Sequence, residues 1–241
     1  MYQSLDVPYK KPATALAIDS TGAFAALGGK KGIYITDLEE PWDQPKLLHH
    51  GAKQTQWDTS VIQWNPHAEH ATQIASAANT QVFLWNVDDK RSALQATLTP
   101  HSRPVADLCW ALSDANVLAT CSADTYVILW DTRSPKSSLK LKAFCAWTTG
   151  ATMVKWNKRN PRLLASTHDG EVFVWDVRKE SAPIAKITAH KQISSMDWSH
   201  HSESQLVTSS TDRTVKFWDF TQPSVCQAIL QTGNPVSKVK Y

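Results

Sequence analysis

VADLCWALSDANVLATCSADTYVILWD, residues 105–131, decides the fold. Its apolar residues alternate with polar ones in short runs rich in Val, Ile and Leu, the period-two pattern of β-strands. Polar turns such as SAD break the runs, and no helical period is sustained. The stretch reads as strand a (Pro104–Trp110), strand b (Asn116–Cys121) and strand c (Tyr126–Asp131), with an outer strand d at Ser138–Phe144 after TRSPKS.

Working outward, the same ending recurs four times: QVFLWNV, YVILWDT, EVFVWDV and TVKFWDF. The tryptophans Trp85, Trp130, Trp175 and Trp218 are spaced by 45, 45 and 43 residues. A second series about 20 residues upstream, VIQWNP, DLCWAL, MVKWNK and SMDWSH, carries Trp64, Trp110, Trp156 and Trp198 at steps of 46, 46 and 42. Two interleaved series with one period assign eight of the eleven tryptophans to structural slots. Four strands per repeat of roughly 40–45 residues predict an all-β protein, a β-propeller. The units fall at about 10–50, 55–98, 103–145, 150–188 and 192–231, and PVSKVKY at 235–241 reads as the first strand of a further blade. Unit one is the most degenerate, with Thr36 where Trp is expected and strands at Ala13–Ile18, Ala23–Leu27, Ile33–Asp37 and Lys46–His49.

These units resemble the WD-repeat family over almost the whole chain. The family pattern places an Asp six residues before the strand-c Trp, and Asp124, Asp169 and Asp212 stand there, with Asn79 in unit two. It also places a His before strand a and a Ser or Thr in strand b. His101 with Thr120 and His190 with Thr208 complete the sets of Trp130 and Trp218. The resemblance implies a buried hydrogen-bond chain from indole N–H through hydroxyl and imidazole to carboxylate, each link satisfying the next. Units two and four carry partial sets, Asn79 with Trp85 and Asp169 with Trp175. Ala75 and Ala165 stand in the Thr slot, and Trp147 in the His slot of unit four. Most propellers of the family have seven blades, so five units and a strand imply an incomplete or open one. The strings QWDTSVIQWNPH, VKWNK and STHDGEVFVWD further resemble the N-terminal propeller of a GATOR/SEA-complex WD-repeat subunit that carries RWD and RING-like regions. That likeness implies a cytoplasmic scaffold recruited to the lysosomal or vacuolar membrane. Its partners would be other WD-repeat and scaffold subunits, and it would relay amino-acid sufficiency to TOR kinase. The alternative is a generic WD-repeat adaptor, such as a ubiquitin-ligase substrate receptor using WDTR (Trp130–Arg133) or WDVR (Trp175–Arg178), or a peptide-mark reader.

Chemistry finds little support. Charge is balanced, 25 basic against 22 acidic residues, with no stripe of the kind nucleic acid needs. The basic clusters Lys136, Lys140, Lys142 and Lys158, Arg159, Arg162 read as solvated rim charge. No apolar run approaches the ~18–20 residues that span a bilayer, so direct membrane insertion is not expected, and the N-terminus lacks a secretory signal pattern. Cys109, Cys121, Cys145 and Cys226 form no Cys-x-x-Cys and read as reduced. LGGKKG (Leu27–Gly32) lacks phosphate-loop spacing and falls where unit one needs its b–c turn. His67 and His70 in HAEH, and His200 and His201 in SHHSES, lie in a–b turns without further ligands. No nucleophile elbow is present. The expectation is no catalytic residue, no metal, no cofactor and no small-molecule substrate. Trp42, Trp57 and Trp147 lie outside the repeated slots. Trp57 and Trp147 enter strand a from one end of the blades, where each either plugs its own blade or meets a partner. With Arg103, His168, Lys191 and Arg213 they make the candidate partner surface.

Overall fold

The computed structural model describes residues 13–30, 32–40, 44–49, 57–89, 91–99, 101–133, 139–147, 149–179 and 182–241. Blade 1 comprises β1 (Ala15–Ile18), β2 (Phe24–Gly29), β3 (Gly32–Asp37) and β4 (Lys46–His49). Blade 2 comprises β5 (Val61–Trp64), β6 (Gln73–Ala78), β7 (Gln81–Asn86) and β8 (Leu94–Leu98), with a 3-10 turn, Ala68–His70, in its a–b connection. Blade 3 comprises β9 (Val105–Trp110), β10 (Val117–Ser122), β11 (Tyr126–Asp131) and β12 (Leu139–Cys145). Blade 4 comprises β13 (Met153–Trp156), β14 (Leu163–His168), β15 (Glu171–Asp176) and β16 (Ala185–Thr188). Blade 5 comprises β17 (Ile193–Trp198), β18 (Gln205–Ser210), β19 (Thr214–Asp219) and β20 (Cys226–Gln231). Each is a four-stranded antiparallel meander in chain order, and none of the sheets closes on itself. The strands follow the alternation read from the sequence to within one or two residues. The chain divides into two compact units, blades 1 and 2 in one and blades 3 to 5 in the other.

Both tryptophan series are core. The strand-a residues Trp64, Trp110, Trp156 and Trp198 and the strand-c residues Trp85, Trp130, Trp175 and Trp218 are all buried. The two series do different work. A strand-c indole bonds within its own blade, whereas three of the strand-a indoles reach back to the preceding blade. Trp64 Nε1 donates to the Ala17 carbonyl at 3.3 Å, Trp156 Nε1 to Cys109 at 3.2 Å and Trp198 Nε1 to Lys155 at 3.1 Å. Each acceptor lies on the preceding strand a, so the bond supplies a partner to a buried N–H and joins neighbouring sheets. Charge adds to this around blade 4, where Lys155 Nζ lies 2.8 Å from Asp107 of blade 3 and Lys158 Nζ lies 2.7 Å from Asp197 of blade 5. Burial alone would lower the pKa of Lys155, but Asp107 outweighs it and holds the ammonium charged. Lys142 Nζ likewise bonds the Val177 carbonyl at 3.0 Å. Lys142 and Lys158 are thus latches between blades, not solvated rim charge; Lys136 lies outside the described residues.

The b–c hairpins come in two lengths. In blades 3 and 5 three residues connect the strands, the third left-handed: Thr125 at φ 76° and Arg213 at φ 68°. In blades 2 and 4 only two do, Asn79-Thr80 and Asp169-Gly170, with Asn79 at φ 52° and Asp169 at φ 51°. A left-handed first residue is what both favoured two-residue hairpin turns require, and Asn and Asp adopt it more readily than most residues. LGGKKG is also a hairpin connection, with Gly29 paired to Gly32. Segment 235–241 forms no ladder.

Candidate functional site

In blade 3 the Trp130 indole donates to Thr120 Oγ1 at 3.1 Å, and Thr120 Oγ1 lies 2.9 Å from His101 Nε2. His101 Nδ1 meets Asp124 Oδ2 at 2.9 Å. Since the Thr120 oxygen accepts the indole N–H, its own hydroxyl donates to Nε2, leaving the His101 proton on Nδ1 facing the carboxylate. Burial pulls the His101 pKa below its ordinary value, against the opposing charge of Asp124, so the ring is neutral. Blade 5 repeats this with Trp218, Thr208, His190 and Asp212 at 3.0, 2.9 and 2.9 Å. For Asp212, burial works upward, but bonds from Thr214 and His190 bring its pKa down to about 2.

Blade 4 departs from the sequence expectation. Trp175 Nε1 donates to Ser166 Oγ at 2.9 Å, not to a residue in the slot of Ala165. The two-residue hairpin shortens the offset from hydroxyl to indole from ten residues to nine, and one residue along a strand reverses the face. Ala165 therefore points the other way, into the cluster around Trp198 of blade 5. Blade 2 does the same, with Trp85 Nε1 bonding Ser76 Oγ at 2.8 Å rather than facing Ala75. The imidazole of blade 4 was also missed. His168, fully buried at 0% exposure, places Nε2 2.9 Å from Ser166 Oγ and its Nδ1 donates to the Thr149 carbonyl at 2.8 Å. A histidine from the end of strand b thus replaces one from the loop, and a backbone carbonyl replaces the Asp. Asp169 and Asn79 are turn residues, outside these chains.

His168 consequently drops out of the partner surface. Trp147 does not plug its blade: it is 81% exposed, at φ 57°, and meets Tyr126 edge-on at 6.5 Å. Within the same unit Arg103, Lys191 and Arg213 are exposed on the d–a loops and the b–c turn, which the meander brings to one end of the blades. Trp57, 57% exposed, belongs to the other unit, and Trp42 lies outside the described residues. The arginines of both Trp-Asp-x-Arg strings fold back on their own strand: Arg133 holds Asp131, and Arg178 Nη2 lies 2.7 Å from Asp176. The Arg178 bond takes the Asp176 pKa down to about 2. Burial pushes the Cys109 and Cys121 thiols up, away from thiolate character, and all four cysteines are free. Among the described residues no group of three or more His, Cys, Asp or Glu is placed to hold a metal, and no helix is long and apolar enough to cross a membrane.

Comparison with known proteins fits this architecture. A β-propeller family profile, Nucleolar protein 10-like, N-terminal domain, matches residues 67–240. The chain belongs to this β-propeller family. Among its relatives, the GATOR2 complex protein WDR59 of Homo sapiens is 39% identical over 233 residues, 95% of this chain and 23% of that protein. Maintenance of telomere capping protein 5 of Saccharomyces cerevisiae is 35% identical over 99% of the chain and 21% of its own length. An RWD, RING finger and WD repeat-containing protein of Schizosaccharomyces pombe is 33% identical over 99% of the chain and 18% of its own length. The chain thus spans about a fifth of these relatives, and the resemblance to a GATOR/SEA-type WD-repeat subunit read from the strings above is borne out.

Proposed function

We propose that the chain is a non-enzymatic docking scaffold, a WD-repeat subunit of a GATOR/SEA-like complex in amino-acid signalling to TOR kinase at the lysosomal or vacuolar surface. The observation that carries this reading is the likeness, along 95% of the chain, to a protein named as a GATOR2 complex component. The geometry supports a binding role, because hydroxyls, imidazoles and carboxylates of the repeats are spent on holding indoles. Trp147 stands apart, a large aromatic held outside the core at the same end of the blades as the exposed Arg103, Lys191 and Arg213. Exposed Trp and Arg side chains are the residue types enriched in protein-binding hot spots. Tagged chain expressed in cells should co-purify with GATOR2 components, and Trp147→Ala should reduce their recovery about tenfold without changing the thermal midpoint. Failure of the unmutated chain to recover any of them would overturn the assignment.

We further infer that each meander is one repeat and that 235–241 holds the register of a strand a. Val236 N bonds the Ser210 carbonyl at 3.3 Å, as Ala151 N bonds Ser122 at 2.9 Å. Five residues after Ala151 stands Trp156, and five after Val236 stands Tyr241. Tyr241 N bonds Asp197 at 2.9 Å, and its ring meets Phe217 edge-on. Deleting 235–241 should speed amide exchange in β17; unchanged exchange there would refute the register.

A further inference from the structure

Blade 1 lacks a side chain that blades 3 and 4 carry at the matching position. The last residue of strand c is Asp37 in blade 1, Asp131 in blade 3 and Asp176 in blade 4, each paired in register with the first residue of its strand b. In blades 3 and 4 an arginine two residues on closes a forked bond on this carboxylate, Arg133 on Asp131 and Arg178 on Asp176. In blade 1 that position is Glu39. Asp37 Oδ1 accepts the Glu39 amide at 2.8 Å and the Glu40 amide at 3.4 Å, while Oδ2 has no partner among the described residues.

This half-used carboxylate lines a groove of about 590 Å3 between blades 1 and 2, within one unit. The floor is apolar, formed by Phe24, Ile35, Trp64 and Val87. Asp19 and Asp88 add two more carboxylates, and the one cation in the lining among the described residues, Lys46, is tied to the Val87 carbonyl. The matching groove between blades 3 and 4 keeps the frame, with Lys142, Trp156 and Val177, but holds about 310 Å3 and one acid, Asp114. The groove of blade 1 is therefore larger, lined among the described residues by three carboxylates and one cation, and without the guanidinium that blades 3 and 4 supply in cis.

We propose that this groove docks a partner segment presenting an arginine next to an apolar side chain, the guanidinium forking onto Asp37 and the apolar group resting on Ile35 and Val87. Charge complementarity and the internal Asp–Arg pairs identify the chemistry. A guanidinium makes the planar two-bond match that an ammonium cannot, and the volume lies in the range of ligand-binding clefts. This surface is separate from Trp147, so its test stands apart from that of complex membership.

The test titrates the full chain, methyl-labelled, with acetyl-leucyl-arginine amide and follows the Ile35 and Val87 methyl signals by NMR. The expected result is a saturable shift at those methyls. The citrulline analogue, equal in shape but uncharged, should bind at least about tenfold more weakly, the loss of a charge-assisted bond, and the lysyl analogue should be weaker as well. Asp37→Asn, which keeps the Oδ1 acceptor, should abolish the shift, whereas Asp114→Asn in the sister groove should leave it unchanged. Equal binding of arginine and citrulline probes, saturation elsewhere on the chain, or no saturation would overturn the proposal. The probe comparison on the unmutated chain decides it even if Asp37→Asn fails to fold.

Discussion

Ser166→Ala would test the hydrogen-bond chain of blade 4. The Ser166 hydroxyl bridges the Trp175 indole and the His168 ring at 2.9 Å each, and all three side chains are 0% exposed. Removing it orphans one buried donor and one buried acceptor. At about 1–3 kcal/mol for each unsatisfied group, the loss is about 2–6 kcal/mol, softened if a water enters the vacated space. For a chain of this size each kcal/mol moves the thermal midpoint by about 2–4 °C, so a drop of roughly 4–24 °C is expected. The paired variant is Ala165→Thr, at the position a fixed ten-residue offset from Trp175 would assign to the hydroxyl. Ala165 packs beside Trp198, so an added hydroxyl and methyl overpack the contact and should cost about 1–3 kcal/mol. Thermal and urea unfolding followed by Trp fluorescence read both, and the Trp175 indole N–H resonance reports the bond directly. A stabilising Ala165→Thr, or a Ser166→Ala change within about 0.5 kcal/mol of zero, the scatter of ordinary surface substitutions, would refute the assigned geometry.

Two other outcomes follow from buried polar groups. Thr36 stands where blade 1 would carry its strand-c indole, and its buried hydroxyl has no hydrogen-bond partner among the described residues; Thr36→Val should raise stability by about 1 kcal/mol, and a lower urea midpoint would contradict this. Burial holds both His101 and His168 below their ordinary pKa of 6.5, so between the folded value and 6.5 the unfolded chain binds more protons. Their stabilisation is complete above pH 6.5 and is lost as pH falls below it, so the urea midpoint should fall between pH 7.5 and 5.5; a midpoint that stays flat or rises would refute the neutral-ring assignment.

The strand order and both tryptophan series were legible because a period near 45 residues repeats the same burial demand. The sets around Trp130 and Trp218 were legible for the same reason. What escaped was hairpin length. Asp169-Gly170 is a two-residue turn signal in its own right, and taking it at face value would have moved the hydroxyl slot from Ala165 to Ser166. His168 was misplaced with it: seven residues before the indole the longer hairpins of blades 3 and 5 have exposed turn residues, Ala123 and Thr211, whereas in blade 4 that position is the last residue of the strand. The exposure of Trp147 had no such signal, because it follows from where the loop after β12 carries the chain. Asp37 was equally silent in the sequence. Its meaning appears only when it is set in register with Asp131 and Asp176.

The backward reach of the strand-a indoles gives assembly a direction. Ala17, Cys109 and Lys155 each offer a carbonyl to a tryptophan that lies 43 to 47 residues later in the chain. In a chain emerging from its N-terminus, a blade is therefore sealed only after the first strand of its successor has been made. At these three junctions the earlier blade presents an unclaimed acceptor until then, and growth there proceeds like a zip whose slider is an indole ring.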